Sequence, residues 1–289
     1  MTTGYLGATA KAITHHYDVS NEFFGLWLDE SRTYTCALWE PGDTLERAQQ
    51  RKLDYLLNGA KASIAERLLD VGCGWGSALR RAGYGYGVRQ PIGLTLSPSQ
   101  AEWVRDQAQP PGLDVRVENW IDHRPDAPYD AIVSIGAFEH FARFDLPRVE
   151  RMRAYRSFFE FCRESMRQPG NRLALQTNVK GNNNRMDRQT VRDMMFIIET
   201  IFPESVLPTM TELVEASENL FEVVSVRNDP DHYVSTLQEW LRRLKRNRSE
   251  AIAIVGPEVV ADYERYLSAA AEQFQRRHLG LARVVYEAV

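Results

Sequence analysis

Between Leu68 and Gly76 the chain reads LLDVGCGWG. An apolar pair, an acid at Asp70, and glycines at Gly72, Gly74 and Gly76 leave few folds open. An apolar run that ends in glycines predicts a buried strand entering a tight turn. Glycine suits such a turn because it adopts backbone angles that other residues avoid and lets a ligand touch the main chain. A dinucleotide site would read G-x-G-x-x-G, setting a pyrophosphate on a helix end. Here the spacing is G-x-G-x-G, which suits a ligand with no phosphate to cradle.

That spacing is the one used for S-adenosylmethionine; a purely structural turn is the competing reading. From Leu68 the chain alternates strand, turn and helix. Further strands are predicted at 92–95, 115–117, 129–135, 172–177, 221–227 and 281–286, and helices at 97–109 and 146–167. This rhythm predicts a doubly wound, parallel α/β sheet with ligands at the carboxyl ends of its strands. Residues 1–60 read as helical and outside the sheet, with Ser20 or Asn21 capping a helix that carries Phe23, Phe24, Trp27 and Leu28. Residues 44–57 form an amphipathic helix with Leu45, Ala48, Leu53, Leu56 and Leu57 on its apolar face. The segment 182–219 is too long for a simple crossover and is expected to shape a substrate pocket.

Composition narrows the class. Of 289 residues, 44% are hydrophobic and 26% charged, enough for one large α/β core in a single domain. The net charge of −4 gives no reason to expect a nucleic-acid partner. No run reaches the ~18 apolar residues of a membrane span, and no secretory signal stands at the N-terminus. Cys36, Cys73 and Cys162 form no C-x-x-C pair, which fits a reducing cytoplasm. His15, His16, His140 and His232 lack zinc-site spacing, so no metal is expected. The arginines of 143–167 read as a solvated helix face, with a dock for an acidic carrier protein as the alternative.

Several longer blocks carry a family name. HHYDVSNEFF at 15–24, TYTCALW at 33–39, GLTLSPSQ at 93–100, IVSIGAFEHF at 132–141 and DPDHYVSTLQEW at 229–240, with the glycine turn, resemble the cyclopropane fatty acid synthases. The mycolic-acid cyclopropane synthases and methyltransferases are the nearest likeness. The resemblance implies a class I S-adenosylmethionine-dependent methyltransferase: a Rossmann-like seven-stranded sheet with N-terminal helices and a helical substrate cap. Plant-type amine N-methyltransferases share the blocks, so the acceptor atom stays open between carbon and nitrogen. A cofactor-binding protein without catalysis is a third reading.

By position, the resemblance implies that Tyr34, Thr35, Asp70, Gly72, Gly74, Gly76, Thr95, Leu96, Gln100, Trp120 and Ile121 hold the cofactor. Family members also bind bicarbonate beside the transferred methyl; the matching positions are Cys36, Gly136, Glu139 and Tyr233, with Gln176 where the family has histidine. Tyr17 and Phe24 are expected at the substrate pocket. Glutamine cannot take a proton near neutral pH, so Gln176 bears directly on proton removal. Ala270 replaces a C-terminal cysteine of the family, which costs nothing if no covalent intermediate forms, and 182–185 departs from the family's acyl-chain loop. The membrane-acting members carry a further N-terminal domain that this sequence lacks, so the expected substrate is a small-molecule or carrier-bound apolar metabolite rather than a bilayer lipid. The sequence sets no oligomeric state.

Overall fold

The computed structural model describes residues 6–9 and 19–289; Tyr17, His15 and His16 lie outside them. Helix α1 (Asn21–Gly25) starts at Ser20, whose hydroxyl accepts from the Phe23 N–H at 3.1 Å. Helix α2 (Leu45–Gly59) is capped by Thr44. The sheet follows as β1 (Arg67–Val71), α3 (Ser77–Tyr86), β2 (Gln90–Thr95), α4 (Pro98–Asp106), β3 (Asp114–Val117), β4 (Ala131–Ile135), α5 (Arg148–Ser165) and β5 (Arg172–Lys180). Helix α6 (Arg188–Phe196) runs into a π-helical turn at Ile197–Ile201. Then come α7 (Met210–Ser217), β6 (Phe221–Asn228), α8 (Pro230–Arg246), α9 (Arg248–Val255), α10 (Pro257–Gln275) and β7 (Leu279–Ala288).

The strand order is β3-β2-β1-β4-β5-β7-β6. The order reverses between β1 and β4, and a crevice at their carboxyl ends is where such sheets bind ligands. The expectation of an all-parallel sheet fails at β7, which runs antiparallel to both β5 and β6. The reason lies in the three preceding helices. They begin past the carboxyl end of β6, and Leu279 re-enters the sheet opposite Lys180, at the carboxyl end of β5. A chain that returns from the end it left can only run back down.

Those helices form a second layer over the sheet. Phe23 packs on Tyr263 (5.0 Å between rings), and Trp27 on Trp240 (5.8 Å), joining α1 to α10 and α8 in one aromatic core. The 182–219 segment divides in two. Helix α6 packs against α10, whereas α7 packs on α5 as the crossover helix between β5 and β6, burying Leu213 and Ala216 in the core beneath the sheet. Residues 210–217 are therefore built into the sheet layer.

Because Phe23 is fully buried, Phe23→Ala should cost ~3–5 kcal/mol. Urea unfolding should show a lower midpoint with unchanged slope. A loss under ~1 kcal/mol would mean that α1 is not part of the cooperative core.

Candidate active site

At the carboxyl ends of β1, β2 and β4 opens a cleft of about 940 Å³, part of it open to solvent. Its floor is the glycine turn. Gly72 has φ +83°, and a Cβ there would lie 2.4 Å from that of Ala137. Gly74 has φ +53°, and a Cβ would meet only Gln100 Nε2, at 4.0 Å, so a side chain would project into the cleft. Tyr34, Thr35, Asp70, Thr95, Leu96, Gln100, Trp120 and Gly136 also line it. Gly76 does not: with φ +72° it is the left-handed N-cap of α3, tight against Val104. Ile121 packs into the core behind Trp120.

The polar groups of the wall are oriented. Thr95 Oγ1 donates to Gln100 Oε1 at 2.8 Å, which leaves the Gln100 amide N–H groups to face the cleft. Trp120 serves both readings of it: Phe141 and Phe158 pack on its ring at 5.3 and 5.6 Å, yet the residue lines the cleft. Asp70 is buried, and desolvation pushes its carboxyl up to about 7 against the pull of Lys52. Its Oδ1 has no hydrogen-bond partner among the described residues.

A second group lies beside the first. Gly136 N donates to Gln176 O at 2.8 Å, and Gln176 Nε2 to Cys36 O at 3.3 Å. Cys36 Sγ donates to Ala37 O at 3.2 Å; burial raises this thiol to about 11. Glu139 is buried, its Oε1 accepting from Asn178 N at 2.6 Å while Oε2 has no partner among the described residues. Desolvation pushes this carboxyl up to about 7, with the Asn178 N–H pulling the other way. Tyr233 and Phe24 stand in the aromatic layer, Tyr233 tilted against Phe274 at 4.6 Å and Phe24 against Tyr34 at 5.3 Å. The structure thus links Gly136, Gln176 and Cys36 by direct bonds. Glu139 joins them through β5, two residues along from Gln176.

Two buried residues escaped the sequence reading. Arg283 on β7 is fully buried; it donates to Gln176 Oε1 at 2.8 Å, to Ala37 O at 2.9 Å and to the Asp229 carboxylate. A lone cation inside the apolar run LGLARVVYEA was its signal. Lys52 on α2 is also fully buried and lines the cleft. It falls seven residues after Leu45, on the apolar face, where a charge is out of pattern. Three arginines of α5 are paired with nearby acids, Arg148 with Glu215, Arg151 with Glu212 and Arg156 with Glu160, and Arg167 just beyond the helix is paired with Asp130.

This sheet order, with a glycine turn after β1 and an acid just before it, defines a class I S-adenosylmethionine-dependent methyltransferase. Comparison with known proteins narrows the class. A family described as mycolic acid cyclopropane synthetase matches residues 6–284, and the chain belongs to it. Cyclopropane mycolic acid synthase 2 of Mycobacterium leprae is 37% identical over 285 residues, covering 93% of this chain and 90% of the relative. The solved structure of mycolic acid cyclopropane synthase CmaA1 complexed with SAH and CTAB superposes with a TM-score of 0.88 at 33% identity, covering 98% of this chain and 99% of that one. Coclaurine N-methyltransferase shares the fold, with a TM-score of 0.79 at 18% identity over 97% of this chain and 83% of its own. The protein is a methyltransferase of the cyclopropane synthase type.

Gly74→Val should weaken S-adenosylhomocysteine binding at least tenfold in isothermal titration, since its side chain fills the cleft floor from a strained φ. Undiminished binding by a folded variant would place the ligand elsewhere.

Proposed function

We propose that this enzyme alkylates a carbon centre, an alkene within an apolar acyl chain, and that Glu139 takes a proton from the transferred methyl as its carbon closes a ring on the cation. Tyr34, Thr35, Asp70, Gly72, Gly74, Thr95, Leu96, Gln100 and Trp120 would hold S-adenosylmethionine, with Gly76 and Ile121 shaping the wall behind them. The orphaned Asp70 oxygen and the glycine floor suit such a ligand. When bound, it supplies an electrophilic sulfonium methyl.

An alkene is a weak, neutral nucleophile, and its methylation leaves a carbocation. The residues around the second group answer that need. Phe24, Tyr34, Tyr233 and Trp240 pack with Cys36 in one buried aromatic cluster, and aromatic faces stabilise cations. Glu139 supplies the base. A buried carboxylate with one open oxygen, held near 7, is poised to accept a proton at neutral pH, and this observation carries the reading. An amine, by contrast, sheds its proton to water and needs no such group.

Of the groups that the resemblance offers to bicarbonate (Cys36, Gly136, Glu139, Tyr233 and Gln176), three already donate elsewhere. The Cys36 thiol, the Gly136 N–H and the Gln176 amide all donate within the protein. The open atom beside them is the Glu139 oxygen, which when ionised offers an anion no N–H or O–H. Arg283 orients Gln176 and residues 36–37, and its charge is met by Asp229.

The relatives are named for mycolic acids, and one was solved with SAH and CTAB; both support a long apolar substrate here. No described helix is long and apolar enough to cross a membrane. We read the acyl chain as diffusible or carrier-borne, and the buried free cysteines suit a cytoplasmic setting.

Glu139→Gln should lower kcat ~10²–10⁴-fold with cofactor affinity nearly intact. Because the base must be ionised, the wild-type rate should rise with pH to about 7 and level above it. That limb should vanish in the variant, and degassed, bicarbonate-free buffer should leave the wild-type rate unchanged. A rate that needs added bicarbonate would remove Glu139 from the role of base.

A further inference from the structure

Lys52 is a buried cation with an unmet charge. Its Nζ donates to Thr35 Oγ1 at 2.9 Å, and no described carboxylate forms an ion pair with it. Asp29 attracts it from a distance, but the Asp29 oxygens already accept from Ser31 and Thr33. Arg283 repels it. An ammonium withdrawn from water without a counter-charge is costly, and proteins keep one where a partner arrives. Here the nearest open space is the cleft, which Lys52 lines together with Thr35 and Asp70. Asp70 shows the opposite need: a buried carboxylate with an unpartnered oxygen. One wall thus offers a cation and an anion that attract each other without forming an ion pair. That arrangement complements a zwitterion.

We propose that Lys52 and Asp70 read the amino-acid end of the cofactor, Lys52 binding its α-carboxylate and Asp70 its α-ammonium. The inference rests on the cofactor site proposed above and adds to it the residue that tells the amino acid from a simple amine. Burial holds the free lysine down to about 7, so an arriving carboxylate fixes the proton on it. The Thr35 hydroxyl then aims the ammonium. A purely structural lysine, propping Thr35 against Gly136, would be indifferent to what the ligand carries at that end.

The test is isothermal titration with two ligands: S-adenosylhomocysteine, and its decarboxylated analogue, which keeps the amine and lacks the carboxylate. The wild-type protein should prefer the first. Lys52→Met should weaken S-adenosylhomocysteine roughly 10- to 100-fold, the usual effect of losing a bond between charged groups, and leave the analogue unchanged or tighter. Equal weakening of both, or no weakening of the first, would overturn the proposal. Should the variant fail to fold, wild-type protein carrying ¹³C at the lysine Cε positions serves instead. S-adenosylhomocysteine should raise the midpoint of the one resonance that titrates near neutrality, and the analogue should not; an equal response overturns the assignment. Wild-type protein that bound neither ligand would overturn the cofactor site itself, and this inference with it.

Discussion

The Arg283 guanidinium is the node on which the two layers meet. From the centre of β7 it donates to Gln176 on β5, to the backbone of residues 36–37 just past the cleft-lining Thr35, and to Asp229 at the head of α8. A guanidinium offers five donors in a fixed plane, so one buried side chain sets the spacing of four segments. Its antiparallel strand brings it there. Were β7 parallel, the helices α8–α10 would have to cross to the far edge of the sheet, and the aromatic layer over the cleft would be lost. The direction of one strand and the shape of the substrate end are therefore the same fact.

Around that node the protein tolerates an expensive concentration of buried polarity. Asp70, Lys52 and Glu139 are each more than nine-tenths buried, and each is shifted toward its neutral form by desolvation. None is neutralised by a close partner of opposite charge among the described residues. Structural ion pairs elsewhere in the molecule look different: Arg81 with Asp54 at 2.7 Å, or Arg51 with Asp43 at 2.9 Å, sit near solvent and are met in full. Unmet polar atoms gathered at one end of a sheet mark the place where ligands complete the structure. Stability is lost locally so that binding and proton transfer have groups to work with.

Much of this was legible in the order of residues. The D-x-G-x-G-x-G turn placed the cleft, and the alternation of strands and helices placed the sheet around it, because both are written in local backbone preference. Ser20 was one of two caps open to its helix, and it is the one that caps it. The direction of β7 was not legible, since an apolar strand reads the same either way and only the path of three helices decides it. Nor was the division of 182–219, where α6 and α7 differ in what they pack against rather than in composition. Lys52 and Arg283 were not legible because a single charge on an apolar face does not show by itself what it is buried against. Gly76 and Ile121 belong to the motifs but stand one layer behind the cleft, a difference of a few ångströms that spacing alone does not resolve.

The central claim is that carbon receives the methyl group and that a buried base then takes a proton. Isotope transfer tests it most directly. The enzyme would be given S-adenosylmethionine bearing a trideuterated ¹³C-methyl group, with a cis-unsaturated acyl thioester as acceptor, and the product read by NMR and mass spectrometry. The account predicts the labelled carbon bonded to carbons of the former alkene with two deuterons retained, the third having left to the base as the ring closes. The labelled carbon on nitrogen of an amine acceptor, with all three deuterons in place and the acyl chain untouched, would contradict it.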